Sequence, residues 1–572
     1  MRARLIVVLL LFVSVTATAE LRPPAAAIAS AQPSATAAGR EILQAGGNAF
    51  DAAVAVAAAL AVVEPYSSGM GGGGFFLLHR ARDGRDVMID ARERAPDAAR
   101  ANMYLDEHGR PIPRASLDGP SAAAIPGLPA GLVHVAQHYG VLPLSRSLAP
   151  AVRLARDGFA VTPRYRRLAQ IRRNVLLKWG GASVFLEREQ VPETGYVLRQ
   201  PDLARTLELL AAKGDAGFYD GETARRLVEG IRAAGGIWTG ADLKQYRVIE
   251  RTPLRGSYRG ARIVTAALPS SGGVLLLEML GMLEHFDLAQ MAAGERAHVL
   301  IEVMRRAYRD RAVYLGDPDF LHVDVTSRLL ASKRLTDLQK SIDMTHATPS
   351  AVLAPKAAPA SRTGTDTTHF SIIDTAGNRV AATLSINTPF GSGFVAPGTG
   401  VILNNEMDDF AMAPDTPNTY GLVGREANAI APGKRPLSSM TPTFVETRDA
   451  VIVLGTPGGS RIVSMVLLAT LDAVSGAGDP ARWVAHPRFH HQFLPDRVTY
   501  EPEAFTAEVV ELLQRKGHVL HPLTDRYGNM QIVAWDRAKH RVDAAADPRG
   551  EGAAVVFEAV EKRSPAVGAA GR

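Results

Sequence analysis

Residues 51–63, DAAVAVAAALAVV, carry no polar side chain after Asp51. A helix that is apolar all round must be covered on every side, so it belongs inside a large core. It is too short to span a bilayer, and Pro65 ends it. A second helical stretch precedes it from Thr36, broken at Gly46-Gly47-Asn48. The chain can bury such an element: its 572 residues, 47% hydrophobic and 21% charged, describe an ordinary globular protein large enough for two or more domains.

The glycine-rich run SSGMGGGGFFLLH, Ser67 to His79, matches GxGxxG at Gly69, Gly71 and Gly74. Dinucleotide sites need strand, glycines, helix. Here the order is helix, glycines, strand, with Phe75–Leu78 and Val87–Ile89 reading as a hairpin. Close backbone packing in a core loop explains the glycines better. The stretch Ala293–Leu315 is helical, its stripe of Leu300, Val303, Met304, Ala307 and Tyr308 pointing inward. Arg305, Arg306 and Arg309 are expected to face solvent.

Residues 20–33 read as a loose leading segment, and 331–366, Pro/Ala/Ser-rich towards its end, as a long loop. Strands are expected at Thr368–Asp374 and Arg379–Ile386, joined by a turn at Ala376-Gly377-Asn378, and again at Val451–Leu454 and Gln531–Trp535. Val463–Val474 reads as a helix, and the tail from Arg563 as frayed.

The N-terminus, MRARLIVVLLLFVSVTATAE, has a basic start, an apolar core and a small-x-small site, which is the pattern of a secretory signal cut after Ala19. The expectation is an exported protein, periplasmic or secreted, with no membrane span once the signal is removed. The chain contains no cysteine. That excludes disulfides, a thiol nucleophile and Cys-ligated metal. The formal charge is +6 with scattered arginines, which argues against a nucleic-acid partner. His134 and His138 are four apart without the glutamate of a zinc motif, and a strand would point the adjacent His490 and His491 apart. No metal or cofactor is expected.

The junction TGTDTTHFSIID, Thr363 to Asp374, places Asp366-Thr367-Thr368 where a polar segment enters a strand. A threonine hydroxyl needs a base, and one solution is the threonine's own α-amine, free only when the chain is cut before it. Its pKa of roughly 7.7–8.0 leaves a useful neutral fraction near pH 7. Alternative nucleophile schemes lack their signatures: there is no GxSxG elbow, and GREANAIAPGKR lacks the residue a P-loop needs after its lysine. Polar clusters elsewhere suit an α-amino-acid head group. DARERAP carries Arg92, SINTPFGSG carries Ser385 and Asn387, LNNEMDDF carries Glu406, Asp408 and Asp409, KRPLSSMTPT carries Ser438 and Ser439, and GTPGGSR carries Gly458 and Gly459. Arginine and serine hydroxyls can hold a carboxylate, acids and an amide can hold an ammonium, and backbone N–H groups at a turn can hold an oxyanion.

Together with GGNAFDAA, PSSGGV (Pro269–Val274) and YLGDPDF (Tyr314–Phe320), these motifs resemble the γ-glutamyltransferase (glutathione hydrolase) family, in that family's order and over nearly the whole mature chain. The resemblance implies an α/β N-terminal-nucleophile hydrolase with an αββα sandwich. One precursor would cut itself at Asp366-Thr367 into a large subunit, 20–366, and a small one, 367–572, which stay interleaved. It implies Thr367 as nucleophile and Ser385 as the hydroxyl that orients it. The family usually has threonine there, and serine lacks its stiffening β-branch. It further implies Arg92, Ser438 and Ser439 as carboxylate contacts, Asn387, Glu406 and Asp409 as ammonium contacts, and Gly458 and Gly459 as the oxyanion hole. FAMAPDTPNTYG, ending near Tyr420, matches the family's lid, which cephalosporin acylases of the same fold lack. The C-terminal DPRGEGAAVVF departs from the usual pattern.

The implied partners are small molecules: glutathione and γ-glutamyl amides as donors, amino acids or peptides as acceptors. Rival readings are an amidase or acylase on the same scaffold, a processed but inactive γ-glutamyl-binding protein, and an uncleaved structural protein. Intact mass and N-terminal sequencing separate the last from the others. The expected result is two fragments, the smaller beginning Thr-Thr-His-Phe at Thr367. A chain that stays whole on incubation leaves Thr367 without its amine base and removes the catalytic reading.

Overall fold

The computed structural model describes residues 21–353, 367–413 and 416–558. The expected signal segment, Asp366 and the tail from Arg563 lie outside these residues. No helix among them is long and apolar enough to cross a membrane.

Thirteen strands build two antiparallel sheets that face each other. In chain order they are β1 (Ala26–Ser30), β2 (Gly73–Arg80), β3 (Arg85–Ala91), β4 (Ile249–Arg251), β5 (Leu254–Tyr258) and β6 (Ala261–Thr265). After the expected cut come β7 (Thr368–Ile373), β8 (Arg379–Ser385), β9 (Thr443–Glu446), β10 (Ala450–Gly455), β11 (Gln531–Asp536), β12 (Arg541–Ala546) and β13 (Ala553–Phe557). The first sheet runs β13-β1-β7-β8-β2-β3-β4 and the second β12-β11-β10-β9-β6-β5. Strands from both sides of residue 366 therefore share each sheet, with β1 inserted between β13 and β7 in the first and β9 paired with β6 in the second. Neither part can form its sheet alone, because each would expose unpaired strand edges.

The period-2 alternation of the strands sorts their side chains into separate cores. Ala27, Ala29, Phe75, Leu77 and Ile373 meet Val264, Phe444, Val453, Val533 and Trp535 between the sheets. The alternate positions Ile28, Phe76, Leu78, Phe370 and Ile372 point outward onto helices α1 (Pro33–Gln44) and α2 (Ala49–Val63). On the far side Ile263, Val445, Ile452 and Ile532 pack against α3 (Ser271–Leu283), α4 (Ala293–Tyr314) and α5 (Ile462–Ser475). The layers are thus αββα, as the family resemblance implied. The α2 helix is buried at every residue, and Asn48 with Asp51 forms a capping box at its start.

Three expectations need correction. Residues 26–30 of the supposedly loose leading segment form β1, which is wholly buried and paired on both edges. Its AAIAS sequence has low strand propensity, but small side chains fit the narrow space between two sheets, and tertiary packing overrides propensity. A helix at Val325–Leu329 precedes the long loop, and the loop itself contains helices at Ser332–Lys340 and Ser350–Leu353. The middle one is steadied by a Lys333–Asp337 pair at i,i+4. The Pro/Ala-rich remainder lies outside the described residues.

The basic face of α4 is the third. Arg305 and Arg306 are buried and Arg309 is largely covered. Glu302, one turn earlier, accepts from Arg305 Nε at 3.2 Å and from Arg306 Nη1 at 2.5 Å. Arg306 also donates to Ser341 Oγ and O at 2.9 and 2.7 Å. It ties α4 to the end of the Ser332–Lys340 helix.

Breaking a buried, hydrogen-bonded ion pair from one side costs roughly 3–5 kcal/mol. Arg306→Ala should therefore lower the thermal midpoint well beyond Arg309→Ala. Equal, small shifts in the two variants would put the α4 arginines back in solvent.

Candidate active site

Strand register brings the expected nucleophile to its partner. Thr368 pairs with Leu384 across β7 and β8, so Thr367 stands opposite Ser385, which pairs on its other side with Gly73 of β2. Thr367 Oγ1 and Ser385 Oγ are 3.2 Å apart. Ser385 Oγ accepts the Asn387 N–H at 2.7 Å, which fixes the serine hydroxyl without β-branching. Thr368 turns the other way and donates to the buried Glu64 at 2.7 Å. The glycine run permits this convergence, since a Cβ on Gly72 would lie 2.1 Å from the Ser385 carbonyl oxygen.

Arg92 follows directly on β3 and is fully buried. Its Nη1 meets Glu406 at 2.8 Å and Glu93 at 3.3 Å, its Nη2 meets Asp409 at 2.6 Å, and its Nε donates to Pro436 O at 3.1 Å. Burial opposes the Arg92 charge, but the three carboxylates outweigh it and hold the guanidinium protonated. The acids are under opposite pressure. Burial raises the pKa of Glu406 and Glu93 despite Arg92, and their mutual repulsion with Asp409 adds to the rise. The centre carries more acid than base, which favours an incoming cation.

The Ser438-Ser439 loop lies beside the start of α3, with Ser271 N donating to Ser438 O at 2.8 Å. Ser438 Oγ accepts the Met440 N–H at 3.0 Å. Ser439 Oγ and Glu406 Oε1 are buried and have no hydrogen-bond partner among the described residues. Such orphans are rare in native interiors and call for a ligand group. Asn387 reaches the same cleft from the end of β8, with its Nδ2 on Asn405 O at 2.9 Å.

Gly459 opens a short 3-10 turn that runs into α5 and lines the cleft. N–H groups at such a start have no intrahelical acceptor and can face an oxyanion. Its φ is 56°, and a Cβ there would meet the Tyr420 ring at 2.6 Å. Gly458, at φ 144°, precedes it with its α-carbon towards Met465, and is outside the cleft lining.

Tyr420 closes the space. Its hydroxyl donates to Asn387 O at 2.6 Å and its carbonyl accepts from Gln492 at 3.1 Å. The segment before it is held by Asp408, which accepts the Thr419 N–H at 2.8 Å, and by Asp409, which accepts from Asn418 at 3.1 Å. Burial pushes the Asp408 carboxyl up to about 6. The room left in the cleft is about 20 Å³, the space of one water. A cavity of about 580 Å³ lies elsewhere, between α4 and α5, lined by Leu300, Leu471 and Phe505 among others. None of the clustered polar motifs lies there.

Of the residues expected at the site, Arg92, Thr367, Ser385, Asn387, Glu406, Asp409, Tyr420, Ser438, Ser439 and Gly459 line one cleft, drawn from far-separated segments. Asp366 lies outside the described residues. Sequence reasoning missed Glu93, Glu64 and Arg311. Glu93 lies within a motif already singled out and was legible as a third acid. Arg311 lies on the helix whose Arg305, Arg306 and Arg309 were expected to face solvent, and was itself given no place.

The chain is similar to known proteins over most of its length. Residues 35–557 match the family model described as gamma-glutamyltranspeptidase. The chain is 40% identical over 515 residues to the glutathione hydrolase proenzyme of Escherichia coli (strain K12), covering 88% of this chain and 87% of that one. It is 37% identical over 517 residues to the acylase ACY 1 proenzyme of Pseudomonas sp. (strain V22), covering 88% of each. Among solved structures it resembles cephalosporin acylase from Bacillus halodurans at 28% identity with a TM-score of 0.81, covering 93% of this chain and 96% of that one. The chain belongs to the gamma-glutamyltranspeptidase family.

Proposed function

We propose that the chain is an exported γ-glutamyltransferase and glutathione hydrolase that matures by cutting itself before Thr367. The observation that carries this reading is the pair of orphaned groups in the Thr367 cleft. Ser439 Oγ is a spare donor for a carboxylate, and Glu406 Oε1 is a spare acceptor for an ammonium. Both ends of an α-amino acid are provided for beside one hydroxyl nucleophile.

Maturation begins with the Thr367 hydroxyl attacking the Asp366 carbonyl. The acyl group shifts from nitrogen to oxygen, and water then hydrolyses the ester. Thr367 lies at φ 148°, a region that β-branched residues avoid, so cleavage relieves backbone strain. The freed α-amine serves as base. It takes the Thr367 proton as the oxygen attacks the γ-amide carbonyl, and returns it to the departing amine. Ser385 orients the nucleophile, and Gly459 with Gly458 offers N–H groups to the oxyanion. Glutathione would release cysteinylglycine. Water resolves the γ-glutamyl ester to glutamate, and an amino acid or peptide resolves it to a new γ-glutamyl amide. A glutamyl group needs more than the space of one water, so Tyr420 must swing aside for entry.

The acylase relatives support a second reading, hydrolysis of a different acyl amide on the same scaffold. The lid disfavours it, since Tyr420 and Asp409 confine the acyl group to one bearing an α-amino acid. A γ-glutamyl anilide decides between them. The wild type should turn it over far faster than anilides of bulky dicarboxylic acyl groups. Thr367→Ala should be uncut and inert, and Thr367→Ser cut and slower. Preference for the bulky acyl anilide favours the acylase, and binding without turnover favours an inactive binding protein.

A further inference from the structure

Gln492 touches two elements of the cleft without lining it. It follows the short strand Phe489–His490 and is buried. Its Oε1 accepts from Ser460 Oγ at 2.7 Å, and its Nε2 donates to the Tyr420 and Leu494 carbonyls at 3.1 Å each. Two carbonyl acceptors fix which end of the amide is nitrogen. Oε1 therefore faces His490 Nε2 at 2.9 Å, and that ring nitrogen must carry a proton. Burial pulls the His490 pKa down to about 3 and keeps the ring neutral, so its Nδ1 accepts from Ser464 Oγ at 2.9 Å. An amide side chain has two donors and two acceptor sites, and in Gln492 all four are used.

These contacts join two parts of the site. Ser460 directly follows Gly459 in the turn that enters α5, and its carbonyl is held by Tyr308 of α4. Tyr420 is the lid residue, with its ring against Gly459 and its hydroxyl on the Asn387 carbonyl. Gln492 holds it at a third point, its own carbonyl. The adjacent His490 and His491 were expected to point apart, and they do: His490 supports Gln492, while His491 bonds Asp496 at 3.1 Å. A buried polar network with every member satisfied specifies one arrangement. Losing its centre would strand the Ser460 hydroxyl, the His490 N–H and the Tyr420 and Leu494 carbonyls, and unpaired buried groups are costly.

We infer that Gln492 is a positioning residue that holds the lid backbone at Tyr420 and the oxyanion turn at Ser460 in one register, and so sets how the γ-glutamyl enzyme divides between water and a peptide acceptor. This rests on the γ-glutamyl reading above and deepens it. With Tyr420 in place the cleft has the room of one water, so a peptide acceptor needs the lid displaced. A tyrosine held at carbonyl, ring and hydroxyl favours water. Releasing the carbonyl favours the peptide, and releasing Ser460 loosens the turn that faces the oxyanion.

The test assays γ-glutamyl-p-nitroanilide with and without the dipeptide glycylglycine, in wild type, Gln492→Met and Gln492→Glu, after confirming that each variant is cut at Thr367. Two quantities are read: kcat without acceptor, and the ratio of γ-glutamylglycylglycine to glutamate formed at one acceptor concentration. That ratio does not depend on how much of a preparation is active, so a merely structural defect leaves it unmoved. Losing the hydrogen bonds to Ser460 and Tyr420 should lower kcat about tenfold in Gln492→Met and raise the product ratio severalfold. Gln492→Glu keeps both acceptor contacts but cannot donate to both carbonyls. Its kcat should stay nearer that of wild type, and its ratio should rise by less. A ratio in Gln492→Met equal to or below that of wild type overturns the inference, whatever kcat does. Should Gln492→Met fail to mature, the ratio in Gln492→Glu decides on the same terms. A wild type that releases no p-nitroaniline from the γ-glutamyl substrate removes the underlying functional reading instead.

Discussion

The site depends on one strand pairing. Thr368 opposite Leu384 sets Thr367 opposite Ser385, and the period of two then sends neighbouring threonines to opposite faces. A slip of one residue would present Thr368 to the cleft and turn Thr367 towards Glu64. The register is protected from both sides, because β8 is held between β7 and β2 and its alternate residues fill two different cores. Gly72 lets the chain entering β2 close against the Ser385 carbonyl, and Gly73 lets it close against the Ala91 carbonyl of β3, where a side chain would collide. The hydroxyl pair is thus fixed by the pairing of the sheet.

What the sequence disclosed follows the same physics. Thr367, Ser385, Glu406, Asp409 and the serine pair stood out because their short polar clusters occur together, and the roles expected of them came from the family resemblance. The hairpin of β7 and β8 and the apolar α2 were legible from periodicity. The strand β1 was not, because five small residues carry no strand signature and its burial comes from distant partners at β7 and β13. The inward arginines of α4 were hidden for a related reason. A helical wheel assigns arginine to water, while Glu302 and Ser341 make burial tolerable in ways that only tertiary structure reveals.

Arg92, Arg311 and the three acids of the cleft form a balance that a neutral acyl group would not complete. Glu406 and Glu93 are raised by burial and by Asp409, and Glu406 by Glu93 as well, so protonation or an incoming ammonium relieves the excess. An amino-acid zwitterion offers one charge of each sign. A dicarboxylic acyl group would add a second negative charge beside Asp409 and leave the acids unrelieved. The cephalosporin acylase from Bacillus halodurans shares the fold, and the sandwich does not depend on the charge balance around Arg92. On the proposed reading specificity is separable from catalysis: the paired strands would supply the nucleophile, and the loops carrying Arg92, Asp409, Ser439 and Tyr420 would decide what it attacks.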